Sequence, residues 1–249
     1  PLAAPALIAL AVAGLRLWGL TAQPIWFDES LLVAYGRLEP ALWLARLSEA
    51  REGVFLTKAP LLVLLLHGWI YGVGTGAAIL RLPFVVVGVA TVLVLHGLVQ
   101  RLYGRTVAIF AALLLALSPY HIYYSQQVTE YGPLVLVGLG SYLLWVRLSA
   151  AERPGLWGQI ALPLLNLVGL ALHPGHAFVT GTQLVLQLGW RRARPLPLLA
   201  GQLLSLGAAA AVGVWLATRG GFVASALGWI PPLTPRLALE TLRQFSHGV

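Results

Sequence analysis

Long apolar stretches separated by short polar connections constrain this chain more than any other feature of its sequence. A helix needs about 20 mainly apolar residues to cross a bilayer, or roughly 17 at the short end. The stretches that meet or approach this length are Leu2–Leu20, Ala78–Gln100, Thr106–Ser118, Tyr131–Leu148, Leu156–Leu172, His176–Trp190 and Leu196–Ala217. Because backbone polar groups in lipid must be paired within each segment, they predict an all-α, polytopic transmembrane bundle of about seven spans.

The composition excludes several classes of protein. Only 10% of the residues are charged and 59% are hydrophobic, whereas a soluble domain carries about 25% charged residues, so a water-soluble globule is excluded. The chain has no cysteine, which excludes disulfides, iron–sulfur clusters and thiolate zinc sites. The net charge is +8, and the Lys and Arg residues that cause it are scattered between apolar stretches. Because they form no basic patch, we expect no nucleic-acid partner.

Arginines mark the connections that face the cytoplasm. They occur in alternate connections: Arg101 and Arg105, Arg147 and Arg153, and Arg191, Arg192 and Arg194. The connections at 118–130 and 173–175 contain no Lys or Arg. Since short cytoplasmic loops carry the excess of Lys and Arg, the arginine-bearing connections are predicted to be cytoplasmic. Parity then leaves Ala59–Gly72 with both ends outside, and we interpret it as an interfacial or half-inserted helix.

These assignments predict a single membrane domain over residues 1–249. Its parts are a first span (1–20), an outer-face loop with interfacial helices (21–77), six further spans (78–217) and an outer-face tail (218–249). Within the loop, Pro40–Glu52 has the amphipathic pattern of a helix lying on the bilayer. The chain begins at Pro1 and contains no Met, so we expect that a longer protein has been trimmed and that the tail is truncated.

Two adjacent acids follow the first span closely. Asp28 and Glu29 come after Pro24-Ile-Trp-Phe27, at headgroup depth, where desolvation and mutual repulsion raise carboxyl pKa values and suit a general base. The alternative is that Asp28 caps a helix over Glu29–Arg37.

Two cations are candidates for binding a phosphate at the membrane surface. Lys58 precedes the apolar run Ala59–Gly72, and it either grips a phosphate or serves as a snorkelling anchor. Arg81 lies just inside the outer end of the second span. An arginine there is costly unless it snorkels or pairs, and an acid of the first loop is a plausible partner.

Polar side chains are concentrated in the connection from Ser118 to Tyr131. Four tyrosines, two glutamines, a histidine and Glu130 lie there, and neutral hydroxyls and amides of this kind recognise sugar hydroxyls. Further along, His173 and His176 lie three residues apart around Pro-Gly. A polar turn, a contact to a sugar donor and a metal site all remain open for them, and two visible ligands make the metal the weakest of the three.

The order of these motifs resembles a known family. Trp26-Phe-Asp-Glu29, Lys58-Ala-Pro-Leu-Leu62, Arg81-Leu-Pro83, Leu102-Tyr-Gly-Arg105 and Ser118-Pro-Tyr…Tyr124-Ser-Gln-Gln…Tyr131 follow one another. They resemble the amino-terminal half of bacterial glycosyltransferases related to protein O-mannosyltransferases and lipid A aminoarabinose transferases, which are GT-C type membrane enzymes. Gln127 and Thr129 stand where that family's pattern has an acid and an arginine.

The resemblance implies roles for individual residues. It implies base or acceptor-binding work for Asp28, with Glu29 beside it, and a contact to the donor phosphate for Lys58. With the candidates above, the predicted site comprises catalytic Asp28 and Glu29, phosphate-binding Lys58 and Arg81, and sugar- or acceptor-binding Tyr124, Gln126, Gln127, Tyr131 and His173, with no metal and no cofactor.

The sequence thus predicts an inverting glycosyltransferase that moves a sugar from a polyprenyl-phosphate donor to an acceptor hydroxyl on the outer face of the bacterial inner membrane. Expected partners are the lipid-linked sugar, membrane lipids and other membrane subunits. A catalytically inactive relative that serves as a structural subunit is the alternative. A transporter ranks lower because no Asp, Glu or Lys lies near the centre of a predicted span.

Overall fold

The computed structural model describes residues 3–49, 59–151, 155–189, 196–218 and 234–247. Every regular element among them is a helix. In chain order these are α1 (Ala3–Leu17), α2 (Phe27–Gly36), α3 (Pro40–Glu49), α4 (Pro60–Gly72), α5 (Ala77–Tyr103), α6 (Arg105–Leu117), α7 (Pro119–Ser125), α8 (Tyr131–Ala150), α9 (Leu156–Leu172), α10 (His176–Gly189), α11 (Leu196–Ala217) and α12 (Pro235–His247).

The lengths of these helices match a membrane bundle. In the described parts of the chain, α5 and α8 are each long and apolar enough to cross a bilayer, and α6 with α7 forms a third candidate that bends by 63°. Shorter apolar segments lie in α1, α4, α9 and α11. The predicted all-helical membrane bundle is therefore confirmed, while the number of spans and their direction through the membrane stay predictions.

The turn between α5 and α6 depends on a glycine. Gly104 has a φ of +88°, a conformation that side chains with a Cβ rarely adopt. This single residue separates two helices that then pack against each other, and α1 joins them. Val12 of α1, Val92 of α5 and Ala112 and Ala116 of α6 form their shared apolar core.

A second apolar core joins the helices of the loop after α1 to the bundle. Leu32 and Val33 of α2 and Trp43 of α3 are buried together with Leu66 of α4 and Phe84 of α5. The helix α4 has 13 residues, or about 20 Å at 1.5 Å per residue, which is shorter than the roughly 30 Å hydrocarbon core. Its predicted half-insertion agrees with this length and stays a prediction.

The helix α10 buries a polar face inside the bundle. His176, Thr180, Gln183 and Gln187 recur every three or four residues, so they share one side of the helix, and each is at most 1% exposed. We call these four side chains the α10 polar row.

The polar row bonds to neighbouring helices. His176 Nε2 lies 3.1 Å from Asn166 Oδ1, and the Asn166 amide donates to Gln183 Oε1 at 3.1 Å. Gln183 in turn donates to Ser141 Oγ at 2.9 Å, and Trp145 donates to Gln187 Oε1 at 3.1 Å. These bonds tie α10 to α8 and α9, which is how polar groups inside a membrane bundle are usually satisfied.

One glycine makes room for the polar row. A Cβ added to Gly169 of α9 would lie 2.5 Å from Cδ2 of His176 and closer still to Cγ and Nδ1 of the same ring. We expect Gly169→Ala to lower the free energy of unfolding by about 1–3 kcal/mol, the usual cost of overpacking. Thermal unfolding in detergent measures it. Gly181→Ala is the matched control because its added Cβ meets nothing within 4 Å, and equal melting temperatures for the two variants would contradict the prediction.

Candidate active site

The helix α2 carries both acids of the first loop in its first turn. It begins at Phe27, with Trp26 as the N-cap residue, so negative charge at this end is favourable. The backbone N–H of Trp26 donates to a carboxylate oxygen of Glu29 at 3.4 Å. The alternative that Asp28 caps a helix over Glu29–Arg37 is therefore wrong, because the helix begins earlier and Glu29 makes the capping contact.

Glu29 is fully buried, and besides Trp26 two other residues, Arg81 and Val128, donate hydrogen bonds to its carboxylate. Arg81 of α5 donates through Nε to Oε1 at 3.0 Å and through Nη2 to Oε2 at 2.7 Å. The backbone N–H of Val128, in the connection after α7, donates to Oε1 at 2.8 Å. The expectation that an acid of the first loop pairs with Arg81 is thus confirmed.

The remaining N–H groups of Arg81 donate to backbone carbonyl oxygens in the segment just before α2. Its Nη1 donates to the carbonyl oxygens of Leu20 at 2.8 Å and Gln23 at 3.0 Å, and its Nη2 donates to Pro24 at 3.2 Å. With the two bonds to Glu29, all five guanidinium N–H groups are engaged, and Arg81 is only 2% exposed. No N–H of Arg81 is left for a donor phosphate in this conformation, so its contacts favour a role in holding the first loop on α5.

Asp28 contrasts with its neighbour. It is half-buried, and its side chain makes no hydrogen bond or ion pair to any other residue within the described ranges. It lies close enough to α7 for its charge to act on Tyr124. Of the two adjacent acids, Glu29 is thus held by other residues and Asp28 is the one whose carboxylate is not.

A series of aromatic rings leads away from Tyr124. Its ring centroid lies 6.0 Å from that of Tyr120 and 5.6 Å from that of Tyr131, the first residue of α8. The ring of Tyr131 in turn lies 6.3 Å from that of His173, in the turn before α10. The structure thus brings His173 to Tyr131 and Tyr124, although it lies far from both in the sequence.

The two glutamines after α7 have different environments. Gln126 donates from Nε2 to the carbonyl oxygens of Arg16 at 2.9 Å and Trp18 at 2.8 Å, so it satisfies carbonyl groups at the end of α1. Gln127 is 3% exposed, and its Oε1 has no hydrogen-bond partner among the described residues. The hydroxyl of Thr129, 1% exposed, is unpartnered in the same sense.

The two histidines near the Pro-Gly turn do not act together. His173 Nδ1 accepts a hydrogen bond from the backbone N–H of Gly175 at 2.9 Å, whereas His176 belongs to the α10 polar row. Across the described ranges, no group of three or more His, Asp or Glu side chains could hold a metal ion. His173 is thus part of a polar turn, and its contact to a sugar donor stays a prediction. Lys58 lies outside the described residues.

Sequence reasoning missed one buried charge, Arg16 in the last turn of α1. Its side chain is fully buried against α6 and α7. An arginine inside an apolar stretch is a signal in itself, because such a residue is costly in a membrane unless it is paired or reaches the interface.

Comparison with known proteins identifies the family. A model of the dolichyl-phosphate-mannose-protein mannosyltransferase family matches residues 57–215, which is more than half of the chain. The chain belongs to this family. The predicted resemblance to GT-C type glycosyltransferases is therefore confirmed, and the protein is a membrane glycosyltransferase. No curated protein and no solved structure matches the chain.

The match to the mannosyltransferase family includes part of the site. It covers Arg81 and the Tyr124–Tyr131 segment, and it begins one residue before Lys58. Asp28 and Glu29 precede the matched residues, so the structure connects them to the family region through the bonds of Glu29 to Arg81 and Val128.

Proposed function

We propose that this protein transfers a sugar from a polyprenyl-phosphate donor to an acceptor hydroxyl on the outer face of the bacterial inner membrane. The acceptor oxygen attacks the anomeric carbon, the bond from that carbon to the phosphate oxygen breaks, and polyprenyl phosphate leaves. Asp28 takes the proton of the acceptor hydroxyl. A single displacement of this kind inverts the configuration at the anomeric carbon.

The main support for the proposal is the difference in burial and hydrogen bonding between Asp28 and Glu29. A general base must be free to accept a proton and must lie within reach of the reacting hydroxyl. Glu29 already accepts bonds from Arg81 and Val128 and is fully buried. Asp28 is half-buried and lies within electrostatic reach of Tyr124, which supports it as the base and favours a positioning role for Glu29.

A lipid-linked donor fits the location of these residues. Its phosphate stays at headgroup depth, so the groups that act on it belong on short connections near the ends of spans. Asp28 follows α1 by a short connection, Tyr124 lies on the short helix α7, and Tyr131 begins α8. The tyrosines and His173 offer hydroxyl and ring nitrogen groups for sugar or acceptor contacts.

The departing phosphate needs a cation. Lys58 is our candidate, because it lies two residues before the start of α4, which packs on α2. Preorganised positive charge aimed at a developing negative charge supplies several kcal/mol in enzymes. In this proposal Arg81 acts indirectly, by fixing Glu29 and so the direction of α2.

A transfer assay tests the proposal. The purified protein in proteoliposomes is supplied with a panel of polyprenyl-phosphate sugars and acceptors that carry hydroxyl groups, and glycosylated product is measured. We expect product from at least one pair, with the opposite anomeric configuration to the donor by NMR. Retained configuration would contradict the single displacement. No product from the whole panel would favour the inactive structural relative.

The absence of cysteine allows a direct test of the proposed face. Gln23 and Arg101 are both exposed and lie on opposite sides in the predicted topology. We expect a membrane-impermeant maleimide to label Gln23→Cys from outside intact cells and Arg101→Cys only in inverted vesicles. Labelling of both variants from the same side would overturn the assignment of the site to the outer face.

A further inference from the structure

A cation without a carboxylate partner joins the first helix to α7. Arg16 is fully buried, and the ion pairs among the described residues, Arg81 with Glu29 and Arg236 with Glu240, do not include it. Its Nη1 donates to the carbonyl oxygens of Val12 at 3.1 Å and, more weakly, Ala116 at 3.4 Å. Neutral groups therefore carry the burden of stabilising this charge, which is expensive to bury.

Two further contacts of Arg16, including its shortest, are with α7. Arg16 donates through Nε to Ser125 Oγ at 3.2 Å, and its Nη2 lies 2.6 Å from His121 Nδ1. Because a guanidinium group has donors and no acceptor, Arg16 donates in this contact and His121 Nδ1 accepts as an unprotonated ring nitrogen.

The inner face of α7 is closed on the other side by α5. A Cβ added to Gly88 would lie 2.6 Å from Ser125 Cβ and 3.1 Å from Arg16 Nε, so only glycine permits this approach. Gln126 completes the junction by donating to the carbonyl oxygens of Arg16 and Trp18. Arg16, Ser125 and their neighbours thus form a junction of four helices, α1, α5, α6 and α7, and the connection after α7.

This junction determines which face α7 turns outward. His121 and Ser125 are four residues apart and share the face that meets Arg16. Tyr120 and Tyr124 are likewise four apart, and their face is rotated from the first by about 100°, the turn per residue of an α-helix. The Tyr124 face is the one that meets Tyr131 and the charge of Asp28.

We propose that Arg16 is a positioning residue that, through His121 and Ser125, holds the Tyr124 face of α7 against Asp28 for binding of the sugar or its acceptor. Its role in substrate binding rests on the proposed function, whereas its control of α7 does not. A lysine keeps the charge but presents a single ammonium group in place of a planar fork of donors. It cannot bond to His121, Ser125 and Ala116 at once with the same geometry.

Spin labels test the control of α7 without any activity measurement. One label is attached at Tyr123→Cys on α7 and, separately, at Phe110→Cys on α6. Both positions are exposed, and the chain has no other cysteine. We expect Arg16→Lys to increase the mobility of the label at 123 and to leave the label at 110 unchanged. Ser125→Ala, which removes one acceptor of Arg16, should act in the same direction and serves if Arg16→Lys does not fold.

Kinetics in proteoliposomes test the second part. We expect Arg16→Lys to raise KM for the sugar donor or the acceptor about tenfold, as expected when a bond to a charged group is lost, with kcat within about twofold of wild type. Unchanged mobility at 123 in both variants would overturn the proposal. A fall in kcat at constant KM would overturn the binding role and leave a general structural one. Increased mobility with no turnover in the wild type would contradict the proposed function while keeping the control of α7.

Discussion

Replacing Asp28 with asparagine is expected to lower sugar transfer by about 10²–10⁴-fold, the usual effect of losing a general base. Asparagine has nearly the same volume, but its amide cannot take a proton at neutral pH. The side chain of Asp28 makes no hydrogen bond or ion pair to another residue in the described ranges, so the substitution leaves the contacts of α2 intact. Initial rates in proteoliposomes with a polyprenyl-phosphate sugar measure the effect.

The loss should appear in kcat with an unchanged melting temperature. Asp28→Glu is an informative companion, since it keeps the carboxylate but moves it by one methylene, and we expect it to retain part of the activity. Full turnover in Asp28→Asn would remove the catalytic assignment. A melting temperature lowered as much as in a Glu29 variant would show that Asp28 is structural.

Replacing Glu29 with glutamine is expected to destabilise the protein by about 3–5 kcal/mol, the cost of breaking a buried ion pair by removing one partner. The change leaves the Arg81 guanidinium buried at 2% exposure without a counter-charge. It also weakens the bonds from Val128 and Trp26, both made to the Glu29 carboxylate. Thermal unfolding in detergent, followed by tryptophan fluorescence, measures the loss.

The matched comparison is Asp28→Asn, which makes the same chemical change one residue earlier. The double variant Glu29→Gln with Arg81→Gln should recover part of the stability, because it removes the uncompensated charge. An unchanged melting temperature in Glu29→Gln together with lost turnover would return Glu29 to a catalytic role and contradict the division of labour between the two acids.

The helices were largely predictable because the length and spacing of apolar stretches determine where helices form in a membrane. Predicted segments Leu156–Leu172 and Leu196–Ala217 have the same bounds as α9 and α11, and Ala78–Gln100 differs from α5 by a few residues at its ends. The start of α2 was misplaced by two residues. The N–H of Trp26 donates to Glu29 at this start, but tryptophan is not a usual N-cap residue, so the sequence did not indicate it.

The site was predictable as a list of residue types but not as an arrangement. The sequence indicated that Asp28, Glu29 and Arg81 belong together, because charges near lipid need partners. It could not distinguish the two acids, since their difference lies in contacts with Arg81 and with Val128, 99 residues further along the chain. Arg16 was missed for a related reason, as its partners His121 and Ser125 lie more than 100 residues away.

The α10 polar row gives this helix a preferred angle during membrane assembly. Its opposite side is apolar, with Phe178 81% and Val185 68% exposed. A half-turn about the helix axis would therefore exchange these side chains with His176 and Gln183, placing polar groups in hydrocarbon. Each correct interhelical bond contributes only about 0.6 kcal/mol in a membrane protein, so the discrimination comes mainly from the penalty on the wrong angle. The polar row thus fixes the rotation of α10 about its own axis, so that this helix packs beside α8 and α9 in one orientation.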